Sequence, residues 1–314
     1  MKQKKLIFAA LITILFAIPI SDIKSQTFNR VGVYDEEHTP ARKVKSYYYL
    51  QEADVMWKKR IWRIIDLREK INQPLYFPVE PIEDRMSLIS LILRAQQGLL
   101  DEQTDRVPNA ESPNARLDPK SQKLPIVQLY DDELFKKVMT ISDVESKFGV
   151  MESTQSIVDP VTGEVIEQTS RSDARPDEVI QWLVKEDWFF NKIRSSLDVR
   201  IIGICAIRQS VAPTSGTTDP DNEEIRISKV FWAYFPEIRP LLSKYPVFNF
   251  NNDAERRTFD DIFQKRMFNS FISQESNVFN DRPISDYELG IYGLWEAENI
   301  KNRIFDFEQD LWVY

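Results

Sequence analysis

The stretch that most constrains the fold runs from Asp54 to Pro78, DVMWKKRIWRIIDLREKINQPLYFP, because apolar residues so regularly spaced must bury a face. At helical spacing Trp57, Ile61, Ile64 and Ile71 form one stripe with the stem of Arg68, and Met56, Ile65 and Leu67 widen it. The spacing predicts an amphipathic core helix. Asp54 suits its N-cap, Asp66 stands four residues before Lys70, and Pro74 prevents continuation past Asn72 and Gln73. Lys58, Lys59, Arg60 and Arg63 crowd the start of this helix, where its dipole disfavours cations. Two readings remain for them: a solvated basic face, or a surface for an acidic partner.

Farther along, Met86, Ile89, Leu93 and Gln97 predict a helix over Ile82–Gln97, with Gly98 as its C-terminal cap. A short helix is expected around Asp131–Thr140. Between Lys147 and Gln168, two β-prone runs flank Asp159-Pro160-Val161-Thr162-Gly163 and predict a hairpin. Pro176 suits the first turn of a helix carrying Val179, Trp182 and Leu183, and leading to Trp188, Phe189 and Ile193. Val199–Arg208 reads as a buried strand, Ile225–Phe235 as another, and Ala212–Glu224 as the loop between them. Further helices are expected over Pro236–Tyr245 and over Ala254–Ile272, where Phe259, Phe263, Met267 and Phe271 are four apart. The last, Asp286–Leu311, spaces Gly293, Ala297, Ile300, Ile304, Phe307 and Leu311 as a helix–helix seam, within the monomer or against a partner. Trp295, Trp312 and Tyr314 add aromatic anchors to this end. Together these elements predict an α+β class, an antiparallel sheet packed against several helices on one side.

Residues 1–25 have the three parts of a secretory signal: Lys2, Lys4 and Lys5, then an apolar run from Leu6 to Ile18, then a cleavage site after Ser25. Lipid attachment there is excluded, since the segment has no cysteine. Removing it takes away four lysines and one aspartate and moves the formal charge from −8 to −11, which disfavours nucleic acid as a partner. Residues 26–53 read as an extended arm ending in Tyr47, Tyr48, Tyr49 and Leu50, and 54–314 as a single α+β domain with a polar Pro-rich loop at about 101–125. An export signal with one cysteine leaves stability to packing or assembly, without an internal disulfide.

The residues needed for most enzyme chemistry are missing. A histidine-activated nucleophile must use His38, the only histidine, which lies on the arm. Cys205 stands between Ile204 and Ala206 in an apolar strand, where burial makes a thiol inert. One histidine and one cysteine cannot build a zinc site. Asp219, Asp221 and Glu223 alternate in a loop, but an EF-hand would need glycine at Glu224 and glutamate at Val230. The 8 glycines, against roughly 22 at average usage, form no phosphate-cradling pattern. No catalytic residue, cofactor or metal site is therefore expected, and only carboxylate-pair catalysis of the glycosidase kind survives on composition.

Two long blocks carry a resemblance. The stretch IIDLREKINQPLYFP behind a tryptophan-rich basic segment, and NSFISQESNVFNDRPISDYELGIYGLWEAENIKNRIFDFEQDLWVY at Asn269–Tyr314, resemble the GldN/PorN family of the Bacteroidota type IX secretion and gliding apparatus. The resemblance implies a non-enzymatic periplasmic subunit of a ring under the outer membrane. It implies assembly with a GldK/PorK-like outer-membrane lipoprotein, contacts between copies, and a link to a GldM/PorM-like inner-membrane-anchored protein, with no membrane span after signal cleavage. Expected partner-binding residues are Lys58, Lys59, Arg60 and Arg63, the arm residues Tyr47, Tyr48 and Tyr49, and Ile304, Phe307 and Leu311. The alternatives are a periplasmic carbohydrate-active or glycan-binding protein, and a free periplasmic binding or chaperone module using the aromatic arm.

Overall fold

The computed structural model describes residues 43–82, 85–98, 126–150, 152–158, 165–171, 175–213, 223–252 and 254–311. The signal segment, the arm before residue 43, the loop at 101–125, the turn at Asp159–Gly163, Asp219, Asp221, Trp312 and Tyr314 lie outside these residues. In chain order the strands are β1 Val55–Asp66, β2 Leu129–Tyr130, β3 Val138–Met139, β4 Glu152–Val158, β5 Val165–Arg171, β6 Val179–Asn191, β7 Ser196–Pro213, β8 Glu223–Tyr234, β9 Pro246–Val247, β10 Arg257–Thr258 and β11 Phe271–Glu275. The helices are α1 Gln73–Tyr76, α2 Leu88–Gln97, α3 Ile141–Lys147, α4 Phe235–Leu242, α5 Phe259–Gln264 and α6 Ile291–Asp310.

A seven-stranded antiparallel sheet in the order β11-β1-β6-β7-β8-β2-β3 organises the fold, and the α+β class stands. The expected Asp54 helix is instead β1, a strand near the edge of this sheet. Residues 57, 61 and 65 are four apart, which satisfies a period of two as well as one of 3.6, so their spacing alone could not separate strand from helix. Isoleucine and tryptophan favour the pleated surface. As a strand, β1 also avoids placing four cations at the positive end of a helix dipole. The helix expected after Pro176 is likewise β6, paired with β1 through Ile61↔Glu186, Trp62↔Lys185 and Arg63↔Val184.

Alternation then builds apolar clusters on both faces of the sheet. One face of the sheet presents Ile65, Trp182, Val184, Ile204, Ala206, Phe231 and Ala233 to Leu88, Leu91 and Ile92 of α2, Ile238 and Leu241 of α4, and Phe259 and Phe263 of α5. Farther along the same face of β1, Ile61 meets Ile272 of β11 and Ala297, Ile300 and Ile304 of α6. The opposite face carries Trp62, Leu183, Cys205, Ile207 and Trp232. Phe135 packs there edge-on to Tyr130 and Trp232, and only a glycine at 203 leaves room for it: a Cβ at Gly203 would fall 2.4 Å from its ring. Beside it Lys185, 3% exposed, pairs with Glu133 at 2.9 Å and lies 5.7 Å from the Trp62 ring centroid.

Helix ends follow local chemistry. Ser87 Oγ accepts from the Ser90 backbone N–H to start α2, and Gly98 at φ 68° ends it as expected, although the helix begins six residues later than Ile82. The expected Asp131–Thr140 helix is not formed. Asp131–Lys137 connects β2 to β3, and the helix starts at Ile141, where Thr140 and Asp143 form a capping box. The long helix expected over Ala254–Ile272 stops at Gln264. Arg266 turns to positive φ and binds Glu186, after which Phe271–Glu275 pairs with β1. The expected β4–β5 hairpin is present, as are the strands over Val199–Arg208 and Ile225–Tyr234.

Candidate interaction surfaces

The cations of β1 are engaged inside the fold. Asp187 on β6 accepts from Arg60 Nε at 2.7 Å and Nη2 at 3.0 Å, and Lys58 Nζ lies 2.8 Å from the same carboxylate. Burial raises the Asp187 carboxyl, but the hydrogen bonds from Arg60 and Lys58 outweigh it and hold it below the usual carboxylate range. The same hydrogen bond raises Arg60. Lys59 pairs with Glu275 at 3.4 Å, and Arg63 Nε donates to Ser270 Oγ at 2.9 Å. Burial lowers Arg63. The preceding residue of β6, Glu186, is fully buried and accepts from Arg266 Nη1 at 2.9 Å and from Trp188 Nε1 at 3.0 Å. These charges knit β1, β6 and β11 together, which is a structural use of the basic run.

The described end of the arm lies against the fold through arginine–aromatic contacts. The Tyr47 ring lies 4.4 Å from the Arg239 guanidinium and 5.1 Å from that of Arg200. Tyr48 lies 4.7 Å from Arg200, and its hydroxyl donates to Asp198 at 2.6 Å. Tyr49 is the most exposed of the three, at 85% against 36% for Tyr48. At the C-terminal helix, Ile304 is buried with Ala297 and Ile300 against β11 and β1, and Phe307 stacks on Trp57 at 4.6 Å. That expected seam lies inside the chain's own core, with Leu311 half-buried at its end.

Two exposed apolar surfaces were not singled out as sites from sequence. The first is the outer face of α6. Ile291, Leu294 and Trp295, at i, i+3 and i+4, lie opposite the buried Ala297, Ile300 and Ile304, and Trp295 is 70% exposed. Leu289 and Tyr292 adjoin them in sequence, and Val278 and Phe279 are exposed in the preceding loop. All seven of these large apolar side chains are more than half exposed. The sequence did mark Trp295 as an anchor; the outward direction of its stripe was the overlooked signal.

The second surface is a cleft of about 350 Å³ lined by Gln73, Pro74, Phe77, Pro78, Ile82, Arg85, Phe248 and Phe250. Its walls come from segments more than 160 positions apart in sequence, so no local pattern reveals it. Phe248 and Phe250 meet edge to face at 5.5 Å, and the Arg85 guanidinium lies 6.0 Å from the Phe248 ring. Gln73 and Arg85 are the polar side chains of this otherwise apolar recess, which suits an apolar projection.

Cys205 is fully buried and burial pushes its thiol up to about 12. Among the described residues no group of three His, Cys, Asp or Glu side chains is arranged to hold a metal ion, and no helix is long and apolar enough to cross a membrane.

No curated protein matches the chain. A family model described as gliding motility associated protein GldN matches residues 50–313, from the last residues of the arm through the end of α6. The β1 segment and all but the last residue of the C-terminal block that carry the resemblance in sequence lie within that match, and the chain belongs to the GldN family of gliding-motility-associated proteins.

Proposed function

We propose that this protein is a non-enzymatic structural subunit of a periplasmic, outer-membrane-associated ring of the type IX secretion and gliding machinery, assembling with a GldK/PorK-like lipoprotein. The family match across 50–313 carries this reading. Two features of the fold support it. Ion pairs from Lys58 to Asp187 and from Arg266 to Glu186 cross-link the elements of the sheet region, as a part that transmits force would need. In addition, α6 carries exposed Ile291, Leu294 and Trp295 away from its buried stripe, as a contact surface would. The export signal expected at residues 1–25 would deliver the chain to the periplasm, where the lipoprotein holds it to the outer membrane. Contact with a GldM/PorM-like inner-membrane-anchored protein would couple the ring to an energy source.

Deleting the gene tests this reading. The expected result is loss of type IX cargo from the cell surface and medium, restored by the wild-type gene and accompanied by loss of surface movement if the strain glides. Unchanged cargo export in the deletion strain contradicts it.

A further inference from the structure

The connection between β2 and β3, Asp131–Lys137, reaches over the sheet face that carries Trp62 and Trp232. Its backbone closes on itself. The Asp131 N–H donates to the Lys137 carbonyl at 3.0 Å, and the Asp132 carboxylate accepts from the Lys136 and Lys137 backbone N–H groups at 3.0 and 2.9 Å. Phe135 and Glu133 anchor this loop to the strands below. The Phe135 ring fills the notch over Gly203, 5.2 Å from the Tyr234 ring centroid. Glu133 accepts from the Lys185 ammonium through its carboxylate at 2.9 Å and its carbonyl at 3.2 Å. Leu134, Lys136 and Lys137 face solvent, and Asp131 pairs with Lys147 of α3.

The closed arrangement is costly at its two anchors. Phe135 holds φ 57°, a left-handed conformation that is rare for a bulky residue and persists only where the surroundings enforce it. The Lys185 ammonium is taken out of water on a central strand, against the Trp62 and Phe135 rings, with the half-buried Glu133 as its carboxylate. The hinges are slight. Strands β2 and β3 have two residues each and pair as Leu129↔Met139 and Tyr130↔Val138 at the outer edge of the sheet. A self-bonded loop on so short a ladder can lift while β6, β7 and β8 keep their pairing.

We propose that Asp131–Lys137 is a strap that opens as a unit while the sheet stays folded, uncovering Lys185 and the Gly203 notch between the Trp232 and Tyr234 rings. Opening withdraws the Phe135 ring from the notch, parts Glu133 from Lys185, frees the Phe135 backbone from its left-handed conformation and returns the ammonium to water. Closing seals the same aromatic notch and cation from anything outside, so the strap decides when this part of the sheet can be touched. The strap operates within a single copy, whatever that copy assembles with.

Acetylation of Lys185 tests it. The full exported protein is exposed to an acetylating reagent over a series of urea concentrations below its unfolding transition, and peptide mass spectrometry reads Lys185, with the exposed Lys136 as the control for reagent. Hydrogen exchange at the β6 and β7 amides follows unfolding of the sheet in the same series. Lys185 is expected to be labelled from the native state at a rate that hardly changes with urea, because lifting a short strap exposes little new surface, while exchange at those amides climbs steeply. Phe135→Leu, which removes the ring, is expected to speed Lys185 labelling by at least about tenfold. Circular dichroism with a thermal melt checks its fold, and Glu133→Gln, which loosens the other anchor, is a second variant expected to act in the same direction. Lys185 labelling that climbs with urea in step with the β6 and β7 amides overturns the proposal, as do rates in both variants equal to that of the wild type.

Discussion

Replacing Asp187 by asparagine separates the structural use of the β1 cations from a partner-binding one. The substitution keeps size and hydrogen-bonding capacity but removes the charge opposite Lys58 Nζ at 2.8 Å and Arg60 Nε at 2.7 Å. A fully buried pair broken on one side costs about 3–5 kcal/mol and an exposed pair about 0–1. Here the carboxylate is 11% exposed and its partners 49% and 34%, which places the expected loss between these limits, at about 1–3 kcal/mol. The pH dependence has a definite sign. The folded Asp187 carboxyl ionises below its unfolded value, so its contribution is fully present above the unfolded pKa and disappears as pH falls through the folded one. Urea titrations of both proteins from neutral to acid pH should show a gap that is constant near neutrality and closes in strong acid. Other carboxylates titrate in both proteins and cancel in the difference. A gap below about 0.5 kcal/mol at neutral pH, within ordinary surface-substitution scatter, or one that persists unchanged in acid, would refute the assignment.

Three more outcomes follow from the packing. Gly203→Ala should cost about 1–3 kcal/mol in denaturant titration, since the new methyl displaces the Phe135 ring, and adding Phe135→Leu should recover part of the loss. Ile300→Ala should cost about 2–4 kcal/mol and expose α6 amides to hydrogen exchange, while Trp295→Glu on the outer face should leave monomer stability within about 0.5 kcal/mol. Cys205 should resist alkylation in the native protein at mildly alkaline pH and react as the chain unfolds, which a timed mass measurement reads directly.

What was legible in the sequence depended on how many physical signals agreed. VRIIGICAIR is a continuous apolar, β-branched run, and β7 with both faces buried is the one structure it suits. Gly98 marked the end of α2 because a left-handed C-cap has few other occupants. At β1 and β6 the signals disagreed. Apolar residues four apart fitted a helix, while the isoleucines, the tryptophans and the misplaced cations fitted a strand, and the pairing of β1 with β6 and β11 decided between them. The charges became intelligible only through that register, which sets Arg60 beside Asp187 and Ile61 beside Glu186. Of the two apolar surfaces, the α6 ridge was visible as a second stripe on the helix that carried the expected seam. The cleft was not visible, because Phe77 and Phe248 are brought together only by the packed chain.

The central claim is that this protein builds a ring with a lipoprotein partner. Its most direct test is the particle size of the exported protein, purified with and without that lipoprotein, by light scattering and negative-stain imaging. Large rings or arcs are expected when the two are combined. A monodisperse monomer indifferent to the lipoprotein would contradict it.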